Sequence, residues 1–166
     1  MVEYKNLIAD GRTYHLSGVL MDKETKKVLE VNGKQVTAEA EFIPEEPSGS
    51  IELTFTFDGS ELKGKTIVAF ETLTVNKKEV AVHADITDES QTIYFPEIRT
   101  SAKDREDGDQ EVATNTKVTI VDTVSYKNLI SDGKHTYRIK GILMDKKTGK
   151  ALLIDNKQVT SETEFI

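Results

Sequence analysis

Apolar and polar residues alternate along this chain in short runs with the period of β-strands. Ile51, Leu53, Phe55 and Phe57 fall on one side of an extended segment and Glu52, Thr54 and Thr56 on the other, which predicts a half-buried strand over 51–57. Val28–Val31, Asn32-Gly33 and Lys34–Ala38 predict a hairpin with a type I′ turn, because Asn-Gly tolerates positive φ at both central positions. A second pair of strands, Leu73–Val75 and Val80–Ile86, flanks a turn at 76–78. Asp10-Gly11, Asp58-Gly59, Asp107-Gly108 and Asp132-Gly133 mark further turns. No segment sustains a helical period. Short strands and frequent turns predict an all-β chain, an antiparallel β-sandwich of immunoglobulin-like architecture.

The same pattern returns within the chain. Residues 2–43 realign on 124–166 with one insertion near His135, and 26 of the 42 aligned positions are identical. Gly18-Val19-Leu20-Met21-Asp22-Lys23 comes back as Gly141-Ile142-Leu143-Met144-Asp145-Lys146, and Lys34-Gln35-Val36-Thr37 as Lys157-Gln158-Val159-Thr160. Such self-similarity is the mark of a tandem array. Only about one and a third periods are present, which reads as a fragment cut out of phase. Residues 1–96 then form the C-terminal portion of one β-sandwich repeat, and 97–166 the N-terminal portion of the next.

Against this pattern stand polar residues where a strand should be apolar. Alternation puts Glu71 on the face of Ile67 and Ala69, so its carboxylate either leaves the core at a strand end or is buried and must be paired or neutral. Gln91 shares a face with Ile93 and Phe95, and His83 lies just upstream. Thr100 alternates with Ile98 and Ala102, and Asp122 with Val118, Ile120 and Val124. Each has an ordinary explanation: Thr100 as a β-favouring residue near a strand start, Asp122 as the cap of a turn. Five inward polar groups in one small fold nevertheless cost too much to be incidental unless they bond one another.

Composition narrows the setting. The chain has 166 residues, 37% hydrophobic and 31% charged, which is ordinary for a globular protein. Its formal charge of -7 and scattered basic residues argue against nucleic acid or an anionic membrane as partner. There is no cysteine, hence no disulfide or thiolate metal site, and the two compatible settings are the cytoplasm and a surface protein stabilised by other means. With three histidines, of which His15 and His135 stand alone, no metal site and no cofactor is expected. Asp104-Arg105-Glu106-Asp107-Gly108-Asp109 lacks the EF-hand spacing and reads as a solvated acidic loop. Residues 1–5 lack a signal-peptide pattern and the residues up to Ile166 do not read as a tail anchor, so no targeting signal is expected within the chain.

Several of these stretches, in this order, resemble a known family. Val68-Ala69-Phe70-Glu71, His83-x-Asp85-Ile86-x-Asp88-x-x-Gln91-Thr92, Thr100-Ser101-Ala102-x-Asp104 and Asp122-Thr123-Val124-x-Tyr126-x-Asn128-Leu129 are similar to the VaFE repeats, or T-Q ester-bond domains, of Gram-positive surface adhesins. The resemblance implies a stalk module of a cell-wall-anchored adhesin, stabilised by a self-made ester between a threonine of the first strand and a glutamine of the last. Carried over by motif, Thr100 is the nucleophile, Gln91 the acceptor, His83 the base, and Glu71 and Asp122 the assisting acids. Asp85, Asp88 and Asp104 compete with Asp122 for its role. This is one self-modification, not enzymatic turnover, on the cell surface, with signal and anchor outside the chain. Its partners are adjacent repeats. The host ligand is not encoded here, and a carbohydrate- or protein-binding sandwich without cross-link chemistry is the alternative.

The residue types suit such chemistry. A hydroxyl and a carboxamide react only when held in contact, where effective molarity supplies on the order of 7 to 11 kcal/mol, and an imidazole moves the proton. A buried carboxyl whose pKa is raised donates to the carboxamide oxygen. The phase of the repeat separates Glu71, His83 and Gln91 from Thr100 and Asp122. The native ester is therefore not expected within this chain, and a strand-swapped oligomer built on 97–124 is the expected association.

Overall fold

A computed structural model describes residues 1–114 and 117–166. Their regular structure is β-strand joined by turns, with a single one-turn 3-10 helix, Glu89–Gln91. The chain divides into two compact units, Met1–Glu97 and Ile98–Ile166.

In the first unit the strands are β1 (Val2–Tyr4), β2 (Tyr14–Asp22), β3 (Lys27–Val28), β4 (Glu30–Val31), β5 (Lys34–Gln35), β6 (Thr37–Phe42), β7 (Gly49–Ile51), β8 (Thr66–Val75), β9 (Lys78–His83) and β10 (Thr92–Tyr94). The six-stranded antiparallel sheet is built on two long central strands, β2 and β8, which pair from Tyr14↔Val75 to Asp22↔Ile67. The outer edge of β2 carries β6 and β3. The outer edge of β8 carries β10 beside Thr66–Val68 and β9 beside Glu71–Val75. The β8–β9 connection is a two-residue turn with Asn76 and Lys77 both at positive φ, and the expected Asn32-Gly33 turn has φ of 53° and 73°, as type I′ geometry requires.

Alternation along β2 buries Tyr14, Leu16, Gly18, Leu20 and Asp22. Leu20 packs with Leu29, Val36, Leu62, Ile67 and Ala69, and Tyr14 and Leu16 pack with Leu73. The layer over this face is β1 paired with β7, continued by the extended run 52–57. Here the structure departs from the predicted strand: the ladder stops at Ile51, yet Ile51 and Leu53 pack on one core cluster and Phe55 and Phe57 on the other. Hydrophobic burial fixes which way the side chains of 52–57 face, while among the described residues no strand bonds the run's backbone into a ladder. Val80–Ile86 is likewise shorter than expected, ending at His83 where Asp85 begins a turn by accepting Thr87 N–H at 2.8 Å.

The second unit contains β11 (Glu97–Asp104, whose first residue belongs to unit one), β12 (Ile120–Lys127), β13 (Tyr137–Ile142), β14 (Met144–Asp145), β15 (Lys150–Ala151), β16 (Leu153–Ile154), β17 (Lys157–Gln158) and β18 (Thr160–Phe165). β13 pairs with β18 from Tyr137↔Phe165 to Ile142↔Thr160, the same register as β2 with β6 in the first unit, Tyr14↔Phe42 to Val19↔Thr37. Local devices recur with it. Tyr14 Oη accepts Ile8 N–H at 3.0 Å, and Tyr137 Oη accepts Ile130 N–H at 2.9 Å. Asn6 and Asn128 both adopt φ of 60°. The triangle of backbone bonds among Leu20, Leu29 and Val36 is repeated among Leu143, Leu152 and Val159. Burial does not recur: β2 alternates between buried and half-buried residues, β13 between half-buried and exposed ones.

Candidate functional site

Glu71 sits in the middle of β8, flanked in register by Gly18 of β2 and His83 of β9. Its neighbours two residues away on the same face, Ala69 and Leu73, are core residues, so the strand period carries the Glu71 carboxylate inside, where it is 5% exposed. Gly18 offers it no side chain. The imidazole opposite does: His83 Nδ1 stands 3.5 Å from Glu71 Oε2. The alignment falls short of a hydrogen bond, and Oε2 is buried with no hydrogen-bond partner among the described residues. Burial pushes the Glu71 carboxyl above the ordinary glutamate range, and the nearby His83 only partly opposes this. Both residues line a cavity of about 170 Å³ together with Val2, Tyr4, Phe42 and Ile51.

On its other side, His83 Nε2 is 2.9 Å from Asp88 Oδ2. Asp88 also caps the 3-10 turn: its Oδ1 accepts Ser90 N–H at 2.8 Å and Ser90 Oγ–H at 2.7 Å. Its main-chain oxygen accepts the Thr92 hydroxyl at 2.7 Å and Gln91 N–H at 3.3 Å. These bonds to Ser90 hold the Asp88 carboxyl below its ordinary range. Lys23 steadies the same turn from β2's end, donating to Glu89 Oε1 at 2.8 Å and Thr92 Oγ1 at 3.4 Å, and Tyr94 donates its hydroxyl to Glu89 Oε2.

This corrects the reading of Gln91 as a strand residue facing with Ile93 and Phe95. Gln91 is half-buried and closes the 3-10 turn, and β10 begins one residue later. The Asp88 cap overrides alternation, because a side chain that bonds the backbone two residues ahead bends it out of a ladder. Thr100 and Asp122 also differ from expectation. They lie on β11 and β12, the two strands of one ladder, and both are exposed, as are most residues of those strands. Alternation predicts an inward face only where a second layer covers it. The structure therefore brings Glu71 and His83 together and ties Gln91 to them through Asp88, while Thr100 and Asp122 belong to the second unit.

Asp88 is a residue that sequence reasoning offered only as a competitor for the role of Asp122. Its signal was present in Asp88-x-Ser90, an acid two residues ahead of a hydroxyl, five residues after a histidine. No group of three or more His, Asp or Glu side chains among the described residues is arranged to hold a metal ion. Chemically, the arrangement offers a carboxyl whose pKa is raised by burial, an imidazole between two carboxyl groups, and a carboxamide on a turn held by one of them.

A family model described as the T-Q ester bond containing domain matches the chain in two stretches, residues 1–95 and 96–166. No curated protein and no solved structure matches it significantly. Two matches that between them span every residue, on an all-β chain with a carboxylate buried against a histidine, lead to one assignment: the chain belongs to the T-Q ester bond containing domain family.

Proposed function

We propose that this chain is part of the stalk of a wall-anchored, Gram-positive surface adhesin, built of tandem β-sandwich repeats that each lock themselves with a Thr–Gln ester. Thr100 is the nucleophile and Gln91 the acceptor type, each paired in the intact array with the counterpart from the other portion of its own repeat. His83 takes the hydroxyl proton, and Glu71, with Asp122, hydrogen-bonds the carboxamide oxygen as it gains charge. The threonine oxygen bonds to the Gln Cδ, the Cδ–Nε2 bond breaks, and the departing nitrogen leaves as ammonia with the hydroxyl proton. Nothing is oxidised and no cofactor is consumed. Each repeat reacts once, so the module has no turnover.

The supporting observation is Glu71: an acid buried in a strand centre, its pKa raised by burial, with one oxygen unbonded among the described residues and a histidine beside it. A purely structural residue at this position has no reason to be a carboxyl. The mechanical benefit follows from topology. A covalent tie between first and last strands holds a sandwich against peeling under tension, as a disulfide does in proteins that have cysteine.

The test joins residues 97–166 directly to 44–96, restoring one repeat in native order. Its intact mass under denaturing conditions is expected to fall short by one ammonia, and Thr100→Ala or Gln91→Ala is expected to restore the full mass. A folded fusion at full mass overturns the ester assignment and leaves a binding or purely structural sandwich.

A further inference from the structure

The bonds around Asp88 fix more than a turn. Oδ1 is occupied by two donors from Ser90, and Oδ2 faces His83 Nε2 at 2.9 Å. A carboxylate only accepts, so this 2.9 Å contact is favourable when Nε2 carries the proton. We propose that Asp88 is a positioning residue that holds His83 as its Nε2–H tautomer, which makes Nδ1, on the side of Glu71 and the cavity, the nitrogen that moves protons. This rests on the reading of His83 as the base, and assigns the orienting acid to the histidine's own loop.

Two features of the structure support it. The imidazole lies between carboxyl groups that differ in kind. Asp88 is partly exposed, takes two hydrogen bonds from Ser90 through its carboxylate with His83 Nε2 2.9 Å away, and has its pKa held low, whereas Glu71 is buried and burial raises its pKa. The closer carboxyl is the one whose pKa is held low, and orienting an imidazole through one nitrogen leaves the lone pair of the other free to act. Asp88 also accepts Gln91 N–H and Thr92 Oγ–H on its main-chain oxygen. One residue thus sets the base and the turn bearing the acceptor in a common frame.

The experiment uses the intact 166-residue chain, labelled with 15N, and long-range proton–nitrogen correlation spectra of the imidazoles, with His83→Gln to assign the signal. In the unsubstituted chain, neutral His83 is expected to show a protonated Nε2 and an unprotonated Nδ1. Asp88→Asn gives the sharper outcome. Ser90 N–H requires an acceptor and keeps the asparagine oxygen, so the amide NH2 faces Nε2 and the ring is expected to change to the Nδ1–H tautomer, with the backbone spectrum otherwise preserved. A protonated Nδ1 in the unsubstituted chain overturns the assignment, as does a tautomer that Asp88→Asn leaves unchanged. Neither result depends on ester formation, so failure here is distinct from failure of the mass test. In the restored repeat, Asp88→Asn is expected to slow loss of ammonia at least tenfold without preventing folding. An unchanged rate also overturns the positioning role.

Discussion

Glu71 is 5% exposed, and desolvation raises its carboxyl pKa above the reference of 4.5. The folded chain therefore holds this proton more tightly than the unfolded chain does. Stability from this residue is greatest below pH 4.5 and is lost as the pH rises through the higher folded value. Replacement by glutamine removes the ionisation and nearly preserves the shape. Glu71→Gln is expected to stabilise the chain at neutral pH and to make no difference well below pH 4.5, as read by urea unfolding at both. The same substitution is expected to abolish ester formation in the restored repeat, a trade of stability for chemistry. Asp22 is a buried acid of the opposite sign. Burial raises its carboxyl pKa, but Lys65 Nζ at 2.6 Å and the N–H groups of Glu24 and Thr25 outweigh burial and hold it low. The sequence announces both as acids on apolar faces. It does not tell which is satisfied, because Lys65 lies 43 residues from Asp22.

At the scale of the element, one sequence segment occurs twice in two environments. β2 and β13 share Gly-x-Leu-Met-Asp-Lys at their ends and the same pairing to β6 and β18. A Cβ placed on Gly18 would stand 2.5 Å from Leu53 Cδ2 and 2.6 Å from Phe55 Cζ, both packed on the core, whereas one on Gly141 would meet nothing nearer than Ser161 O at 4.0 Å. Gly18→Ala is expected to cost about 1 to 3 kcal/mol by overpacking. Gly141→Ala is expected to stay within about 0.5 kcal/mol. Parallel urea titrations of the two variants check this, and equal effects would contradict the layer formed by 52–57. Hairpins and their turns were legible here because Asn-Gly and strict alternation act over a few residues. The 3-10 turn at Glu89–Gln91 was not, since alternation at Gln91, Ile93 and Phe95 is compatible with a strand and only the bonds of Asp88 exclude it.

At the scale of the molecule, the repeat and the burial pattern explain each other. Among the described residues the second unit has counterparts of β2 and β6 but none of β8, and Ile142 and Met144 are exposed where their counterparts Val19 and Met21 are half-buried. Ile98, Ile120 and Val121 on β11 and β12 are also exposed, as are Val80, Val82 and Ile93 at the outer strands of the first unit. Apolar residues on two incomplete sheets favour completion of one by the other. In isolation the chain is expected to associate through residues 97–124 of one copy on the first unit of a second, so that its sedimentation coefficient rises with concentration. A monomer throughout the micromolar range would count against such swapping. Between the ends of β10 and β11 the connection is too short for the dozen or more residues that a parallel crossover takes, which favours a second copy over self-completion.

The sequence by itself determined the all-β class, the turn positions, the internal repeat and the candidate site residues. Each of these rests on periodicity or residue chemistry that operates locally along the chain. Tertiary structure alone decided which inward positions are buried. Glu71 is enclosed because β2 and β9 flank it and β1 and β7 lie over its face, while Thr100 and Asp122, marked by the same alternation, are exposed on a ladder that no layer covers among the described residues of their unit. It also decided that Asp88 meets His83, because that meeting depends on a turn closing the loop after β9. A strand's period specifies two faces; only the neighbouring layer specifies which of them is the interior.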